Sequence, residues 1–411
     1  MFETGEKMKD VAVIGGGAAG MFFAVSLKQM VPNAGIVIYE AKERVGKKLA
    51  VTGNGRCNIS NISAYASNYH GDAALAGKVL QHFGFEEQRS FFKALGVHFA
   101  LENDRAYPRS FQAASVVDAL RFAAVESGVE IRCNCAVLSV KRDNGIFECV
   151  TGQKSEKYRS VAVACGGKAG GKLGSSSGYD ILKALGHKIE PVFPSVVQLK
   201  TETDIVRQLK GIKVDAAVTI RSSLGERSGF GEVLFCDYGL SGPAILQVSR
   251  LANGTDATIS LDIMPDFSKE KLTEALCTYV NNHPSRPASE LFTGLLNKRL
   301  GQVITKTCGV ALDRALETVE FRNISKIVDT VKDFRIKVLG TTGFENAQVT
   351  TGGANTAQFF ETLMSKKARG LFAMGEVLNV DGDCGGYNLA FAWASAHVAA
   401  LAAAEYLSDN K

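Results

Sequence analysis

Residues Lys9 to Gly20 read Lys-Asp-Val-Ala-Val-Ile-Gly-Gly-Gly-Ala-Ala-Gly, an apolar strand running straight into a glycine turn. Gly15, Gly17 and Gly20 occupy the first, third and sixth places of that turn. A dinucleotide site needs them there, because the turn is tight, a pyrophosphate approaches the backbone, and the next helix packs closely on the strand. A side chain at Gly15 or Gly17 would block one of these. The turn opens an apolar helix predicted from Ala18 to Gln29, whose first turn contains Ala18, Ala19 and Gly20, and a second strand follows over Ile36 to Tyr39. That strand ends at Glu40, which lies 40 − 20 = 20 residues beyond Gly20. At this spacing a carboxylate accepts hydrogen bonds from an adenosine ribose. Glu40 also repels a 2′-phosphate, so the tightly held nucleotide is expected to be FAD or NAD rather than NADP.

Composition narrows the class. At 411 residues, 46% of them hydrophobic and only 8 proline, the chain has the size and apolar content of a globular protein of two or three domains. No run of 18 apolar residues suggests a membrane span, and Met-Phe-Glu-Thr-Gly-Glu-Lys at the start has no apolar signal core, so a cytoplasmic location without membrane association is expected. The 9 cysteines form no Cys-x-x-Cys pair and the 6 histidines show no ligand spacing. A disulfide framework, a metal site and a dithiol centre are therefore not indicated. A net charge of +5, spread along the chain, makes nucleic acid an unlikely partner.

After Glu40 a loop rich in glycine and basic residues contains Lys48, Gly53, Gly55, Arg56, Cys57 and Asn58. Such a loop beside a nucleotide site commonly lines the ligand. Helices are predicted near 73–83, 86–95 and 113–127, with apolar faces suited to packing on a sheet. Strands at 136–141 and 146–150, joined by Asp143-Asn144-Gly145, form a small antiparallel layer. A strand over 161–165 ends in Gly166-Gly167, and its spacing fits both a return to the nucleotide site and an ordinary loop. Between Pro194 and Gly340 the pattern changes to short strands (196–200, 216–221, 258–263) and helix-like stretches (269–280, 290–328), with Pro243 suited to a helix start. No second Gly-x-Gly-x-x-Gly follows a strand in this region, so a second nucleotide would dock without its own Rossmann domain. The last seventy residues return to the first pattern: a strand over 370–374, then Gly375-Glu376, a loop reaching Asp383, Gly385 and Gly386, and a long helix from Tyr387 or Asn388 to Leu407. Its N-terminus favours the negative charge that develops on a reduced flavin ring.

The placed motifs identify a resemblance to the BaiN/aminoacetone oxidase-like family of bacterial NAD(P)/FAD-dependent oxidoreductases, covering nearly the whole chain. It rests on Thr-Gly-Asn-Gly-Arg-Cys-Asn at 52–58, Tyr-Gly-Leu-Ser-Gly-Pro-Ala at 238–244, Val-Thr-Thr-Gly-Gly at 349–353 and Gly-Glu-Val-Leu-Asn-Val-Asp-Gly-Asp-Cys-Gly-Gly-Tyr-Asn-Leu-Ala at 375–390. The resemblance implies an α/β fold, a Rossmann-like FAD-binding domain of the two-dinucleotide-binding-domain flavoprotein type, with inserted β-barrel-like and helical domains. The FAD domain is expected over 1–194 and 341–411, and the insertion over 195–340. Gly15, Gly17, Ala18 and Gly20 are then expected at the pyrophosphate, Glu40 at the ribose and Val137 by the adenine. Arg56, Cys57 and Asn58 approach the flavin, Glu376 faces the ribityl chain, and Gly385 to Leu389, including Asn388, lie under the ring. Lys48, Gly55, Gly166 and Asp383 complete the expected contacts. The implied activity is hydride transfer from transient NADH or NADPH through non-covalent FAD to a small organic acceptor such as an enone. The alternatives are a flavin amine oxidase using oxygen and a non-catalytic flavin-bound redox sensor or RNA-associated protein.

Overall fold

A computed structural model describes residues 8–409. It separates into two compact units, one reaching to Phe193 and resuming at Gln348, the other spanning Pro194–Ala347.

In the first unit the strand Lys9–Ile14 lies between Ile36–Tyr39 and Ser155–Val163, parallel to both. Glu130–Arg132 extends the parallel sheet beyond Ile36–Tyr39. The long strand Ser155–Val163 has two neighbours in series on its other side. Its first half pairs antiparallel with Ile146–Thr151, which turns back into Val137–Asp143. Its last residues pair in parallel with Leu371–Ala373, so a strand near the end of the chain completes the sheet begun at its start. Val11, Val13, Val37 and Ile38 are wholly buried, as residues of a sheet covered on both faces must be.

Two helices from opposite ends of the chain, Ala18–Met30 and Tyr387–Asp409, pack together. Phe22 and Trp393, both fully buried, bring their rings to 5.4 Å, and Trp393 Nε1 donates to the Ile59 carbonyl at 2.8 Å. Phe92 joins the same cluster at 5.1 Å from Trp393. Truncating any of these rings would cost about 3–5 kcal/mol.

The second unit is a closed antiparallel barrel in the order Leu199–Thr201, Gly239–Ser241, Gly225–Phe235, Lys213–Ser222, Thr258–Asp262, Phe334–Thr341. Val218, Ile220, Ile259 and Leu261 alternate into its core. Helices Lys269–Asn282, Lys298–Thr307 and Phe321–Lys332 belong to this unit. Pro243 is the first residue of the helix Pro243–Val248.

Three sequence expectations need correction here. The helix-like stretch 290–328 is two helices, because Gly309 at φ +88° turns the chain out of the first. The strand expected over 196–200 begins only at Leu199, since Val196 adopts a left-handed φ of +49°. The change of unit placed at 340/341 falls inside the barrel strand Phe334–Thr341, and the first unit resumes at Gln348. Among the described residues no helix is long and apolar enough to cross a membrane, and no group of three or more His, Cys, Asp or Glu side chains could hold a metal ion.

Candidate functional site

The glycine turn divides its labour. Gly15 sits at φ +105°, its N–H donates to the Tyr39 carbonyl at 2.8 Å, and a Cβ there would lie 2.5 Å from the Ala164 carbonyl oxygen. A Cβ on Gly20 would lie 1.9 Å from the Gly15 oxygen. Both glycines are therefore fixed by packing within the chain. Gly17 differs: a Cβ there would meet nothing within 4 Å, so the backbone is bare at the start of the helix Ala18–Met30. The N–H groups of that first turn have no partner within the helix and attract an anion.

Glu40, at the end of the second strand, faces this turn. Its Oε2 accepts from Gly16 N–H at 3.0 Å and its Oε1 from Lys42 N–H at 2.8 Å. Each carboxylate oxygen keeps acceptor capacity for a further donor. The Glu40 carbonyl accepts from Cys135 N–H at 2.9 Å, which brings the segment leading to buried Val137 beside the same strand end.

Gly375 and Glu376 reach the same end of the sheet from the other end of the chain. Gly375, at φ +69°, donates its N–H to Ser395 Oγ at 3.0 Å, and a Cβ on it would lie 3.1 Å from Ala19. Glu376 accepts from Lys48 Nζ at 2.7 Å and from Thr350 N–H at 2.9 Å. A Cβ on Gly167 would lie 2.8 Å from Glu376 Oε1, whereas one on Gly166 would be 4.0 Å from Oε2. The buried Tyr179 hydroxyl has no hydrogen-bond partner, and burial, with Glu376 nearby, pushes its ionisation upward.

The loop before the last helix is held from several directions. Val380–Gly382 pairs with Tyr69–Gly71, His70 Nε2 lies 2.8 Å from Asp383 Oδ1, and Asn61 Nδ2 donates to the Gly385 carbonyl at 2.8 Å. Asn388 closes the loop by accepting from Gly382 N–H and donating to the Gly382 carbonyl, both at 2.8 Å. Gly385 and Gly386 adopt φ of +138° and +97°, and the helix starts at Tyr387. Tyr387, Asn388 and Leu389 are half-buried, whereas the helix body from Ala390 is buried.

Gly53, Asn54, Gly55 and Cys57 all have positive φ, from 54° to 82°, and the loop closes on itself, Arg56 N–H donating to the Gly53 carbonyl at 3.1 Å and Cys57 N–H to the Thr52 carbonyl at 3.0 Å. Arg56 does not extend freely from it: its guanidinium sits 4.5 Å from the Tyr107 ring centroid and 2.5 Å from Glu102. The Cys57 thiol is fully buried and pushed up to about 12 by that burial, which makes it an inert packing group. Asn58 Oδ1 is buried without a partner. His70, Asn61, Thr350 and Arg105 reach this region without any motif having marked them, except that Thr350 lies in the Val-Thr-Thr-Gly-Gly stretch.

These features fit a dinucleotide. A bare glycine opens a helix, a carboxylate with free acceptor capacity ends the adjacent strand, and an orphaned acceptor at Asn58 faces the glycines that precede a second helix N-terminus. Comparisons with known proteins agree. Residues 9–402 match the HI0933-like protein Rossmann domain. The chain is 35% identical over 410 residues to the 3-dehydro-bile acid delta(4,6)-reductase of Clostridium scindens, spanning 97% of this chain and 100% of that one. It is 28% identical over 400 residues to the ribosomal RNA dihydrouridine synthase of Escherichia coli, spanning 94% and 96%. Among solved structures, E. coli quinol fumarate reductase shares the fold with a TM-score of 0.53 at 16% identity, over 98% of this chain and 71% of that one. The chain belongs to the HI0933-like Rossmann family of FAD-dependent oxidoreductases.

Proposed function

We propose that this protein reduces a C=C bond conjugated to a carbonyl in a small organic acceptor, with NADH or NADPH as the transient hydride source. The observation that carries this reading is the full-length 35% identity to a 3-dehydro-bile acid delta(4,6)-reductase. Non-covalent FAD, when bound, supplies the site that receives and passes on the hydride.

The chain's residues bind and orient. Gly15, Gly17, Ala18, Ala19 and Gly20 present the helix N-terminus to the pyrophosphate, and Glu40 accepts from the ribose. Val137 lies by the adenine. Lys48, Gly166, Gly375 and Glu376 hold the middle of the cofactor. Gly55, Arg56, Cys57 and Asn58 flank the ring through their backbone and the Asn58 amide. Asp383 and Gly385 to Leu389 underlie it, with the final helix directing its positive end at developing charge.

A second reading shares the chemistry. The uracil ring, like a 3-oxo steroid with a 4,5 double bond, carries a C=C conjugated to a carbonyl, and the 28% identity to a ribosomal RNA dihydrouridine synthase favours uridine in RNA as the acceptor. The small charge excess, 47 Lys and Arg against 42 Asp and Glu, favours the small molecule.

Anaerobic mixing tests both. NADH or NADPH should bleach the yellow protein, and 2-cyclohexen-1-one or a 3-oxo-4-ene steroid should restore the colour faster than air does. Restoration by a ribosomal RNA transcript, with dihydrouridine formed, selects the second reading. Bleaching by an amine but not by NADH or NADPH would sink both.

A further inference from the structure

Arg105 stands apart from the other half-buried arginines of its unit. Arg132 is paired with Glu130 and Glu156, and Arg159 with Asp10. The Arg105 guanidinium makes no hydrogen bond and no ion pair among the described residues, although the side chain is half-buried. A partly desolvated guanidinium without a directly bonded partner is costly, and a bound anion would offset that cost. Its location says which anion. Arg105 is carried on the strand Arg105–Pro108, which pairs with Ser60–Asn61 and so lies against the loop that precedes the last helix. A Cβ on Gly385 would lie 3.3 Å from the Tyr387 ring, 3.5 Å from Arg105 Nε and 3.7 Å from Asn61 Nδ2.

The neighbouring groups complete the picture. Asn61 is already engaged, donating to the Gly385 carbonyl and accepting from Ser63 N–H. The Tyr387 hydroxyl is free: its ring packs edge-on against Tyr69, but the oxygen makes no hydrogen bond among the described residues. Burial, then Asp383 and Asp104, raise the Tyr387 ionisation, with Arg105 acting the other way, so the hydroxyl keeps its proton and can donate. A permanent cation and a ring that carries a neutral O–H donor therefore both stand beside Gly385. Five guanidinium N–H groups and one phenol suit an oxygen carrying partial or full negative charge.

We propose that Arg105 and Tyr387 form the subsite for the carbonyl oxygen of the conjugated substrate. This rests on the reductase reading above. When hydride adds at the β-carbon, the C=C electron pair shifts toward the α-carbon and the carbonyl, and the oxygen becomes an enolate. Arg105 balances that charge and Tyr387 donates a hydrogen bond to it. A proton from solvent then adds at the α-carbon, so the substrate gains one hydride, supplied by NADH or NADPH through FAD, and one proton. Gly385 keeps both groups in place, because a Cβ there would press on the Tyr387 ring at 3.3 Å and crowd Arg105 Nε at 3.5 Å.

The test uses FAD-loaded protein and 4-chlorophenol, whose phenolate oxygen resembles an enolate, with binding read from the flavin absorbance. Arg105→Met should raise the dissociation constant about tenfold or more, Tyr387→Phe several-fold, and Arg105→Lys should recover part of the loss. FAD retention and the flavin midpoint potential should stay at parental values in the two Arg105 variants. Unchanged 4-chlorophenol binding in stably folded Arg105→Met overturns the subsite. So does a parent protein that fails to bind the probe, or a variant in which only the midpoint potential moves, which would put the guanidinium on the flavin oxygen instead. Arg105-dependent probe binding in a parent that reduces no enone keeps the subsite and discards the reductase reading.

Discussion

The Lys48 ammonium lies 2.7 Å from the Glu376 carboxylate although 328 residues separate them in sequence. Lys48 belongs to the short helix Lys47–Ala50 after the second strand, and Glu376 to the turn Gly375–Val377 that follows the strand Leu371–Ala373. The contact thus ties the two chain segments that form one Rossmann unit. With side chains 29% and 20% exposed, the pair adds little to stability, about 1 kcal/mol at most. Its consequence is placement: the ammonium keeps two further donors, and the carboxylate is fixed between Lys48 and Thr350.

Lys48→Met should therefore separate binding from stability. The melting temperature of the apoprotein should fall by no more than about 2–4 °C, the equivalent of 1 kcal/mol in a unit of this size. FAD should be lost about tenfold more readily on ultrafiltration, because a charge-assisted hydrogen bond to the cofactor is worth about 1.5–3 kcal/mol. Parental retention of FAD would remove Lys48 from the cofactor site.

The glycine turn offers a cleaner separation. Gly17→Ala places a methyl where no protein atom lies within 4 Å, at a φ of −81° that alanine adopts readily. The apoprotein should keep its melting temperature or gain slightly, since alanine restricts the unfolded chain. FAD affinity should nevertheless fall about tenfold or more as the methyl holds off the pyrophosphate. Gly20→Ala does the opposite, because its methyl would lie 1.9 Å from the Gly15 oxygen and must distort the turn, costing about 1–3 kcal/mol. Calorimetry on both apoproteins, with FAD titration of the first, checks the pair. Equal destabilisation by the two substitutions would show that Gly17 is a packing glycine as well.

What the sequence disclosed and what it hid follow one physical line. Gly15, Gly20 and Glu40 were legible because the turn and the strand end obey local rules about backbone space and spacing. His70 and Arg105 were not. They reach the last loop only through the pairing of Tyr69–Gly71 with Val380–Gly382 and of Ser60–Asn61 with Arg105 and Ala106, and local spacing does not encode a register between remote segments. The boundary near 340 was misplaced for a related reason. Phe334, Ile336 and Val338 alternate inward like any strand, and their pattern does not say which sheet they join. Likewise Val310, Leu316 and Val319, buried between two helices, continue an apolar spacing across turns and made 290–328 read as continuous helix.

Acid stability should depend on Glu156. Burial alone would raise its pKa, but hydrogen bonds from Arg132, Tyr39 and Lys154 outweigh that and bring it from 4.5 down to about 2. A carboxylate with a depressed folded pKa stabilises the native state above its unfolded value, and the contribution disappears as pH falls from 4.5 through about 2. Glu156→Gln should cost on the order of 1–2 kcal/mol near neutral pH, allowing for screening at a partly exposed site. Urea titrations at a series of pH values should show the difference from the parent shrinking across that acid window. A difference that stays constant down to pH of about 2 would assign the stabilisation to packing instead.

Asn58 gives the sharpest test of how the ring end of the site is built. Its Oδ1 is buried with no hydrogen-bond partner, and it lies 2.7 Å from where a Cβ on Gly386 would stand. Enlarging Gly386 is uninformative about the ligand, because at φ +97° the new side chain would also fall 2.4 Å from the Ser60 carbonyl oxygen and strain the fold. Asn58→Ala instead removes an acceptor whose hydration is lost without compensation within the chain. The apoprotein should be as stable as the parent or more so, by about 1 kcal/mol after the lost contacts are counted. If the Asn58 amide bonds the cofactor, the same variant should bind FAD about tenfold more weakly. The two effects have opposite signs and are measured on one preparation, by thermal melting of the apoprotein and by FAD titration. A variant that melts lower and binds FAD as the parent does would make Asn58 a structural residue of the loop and nothing more.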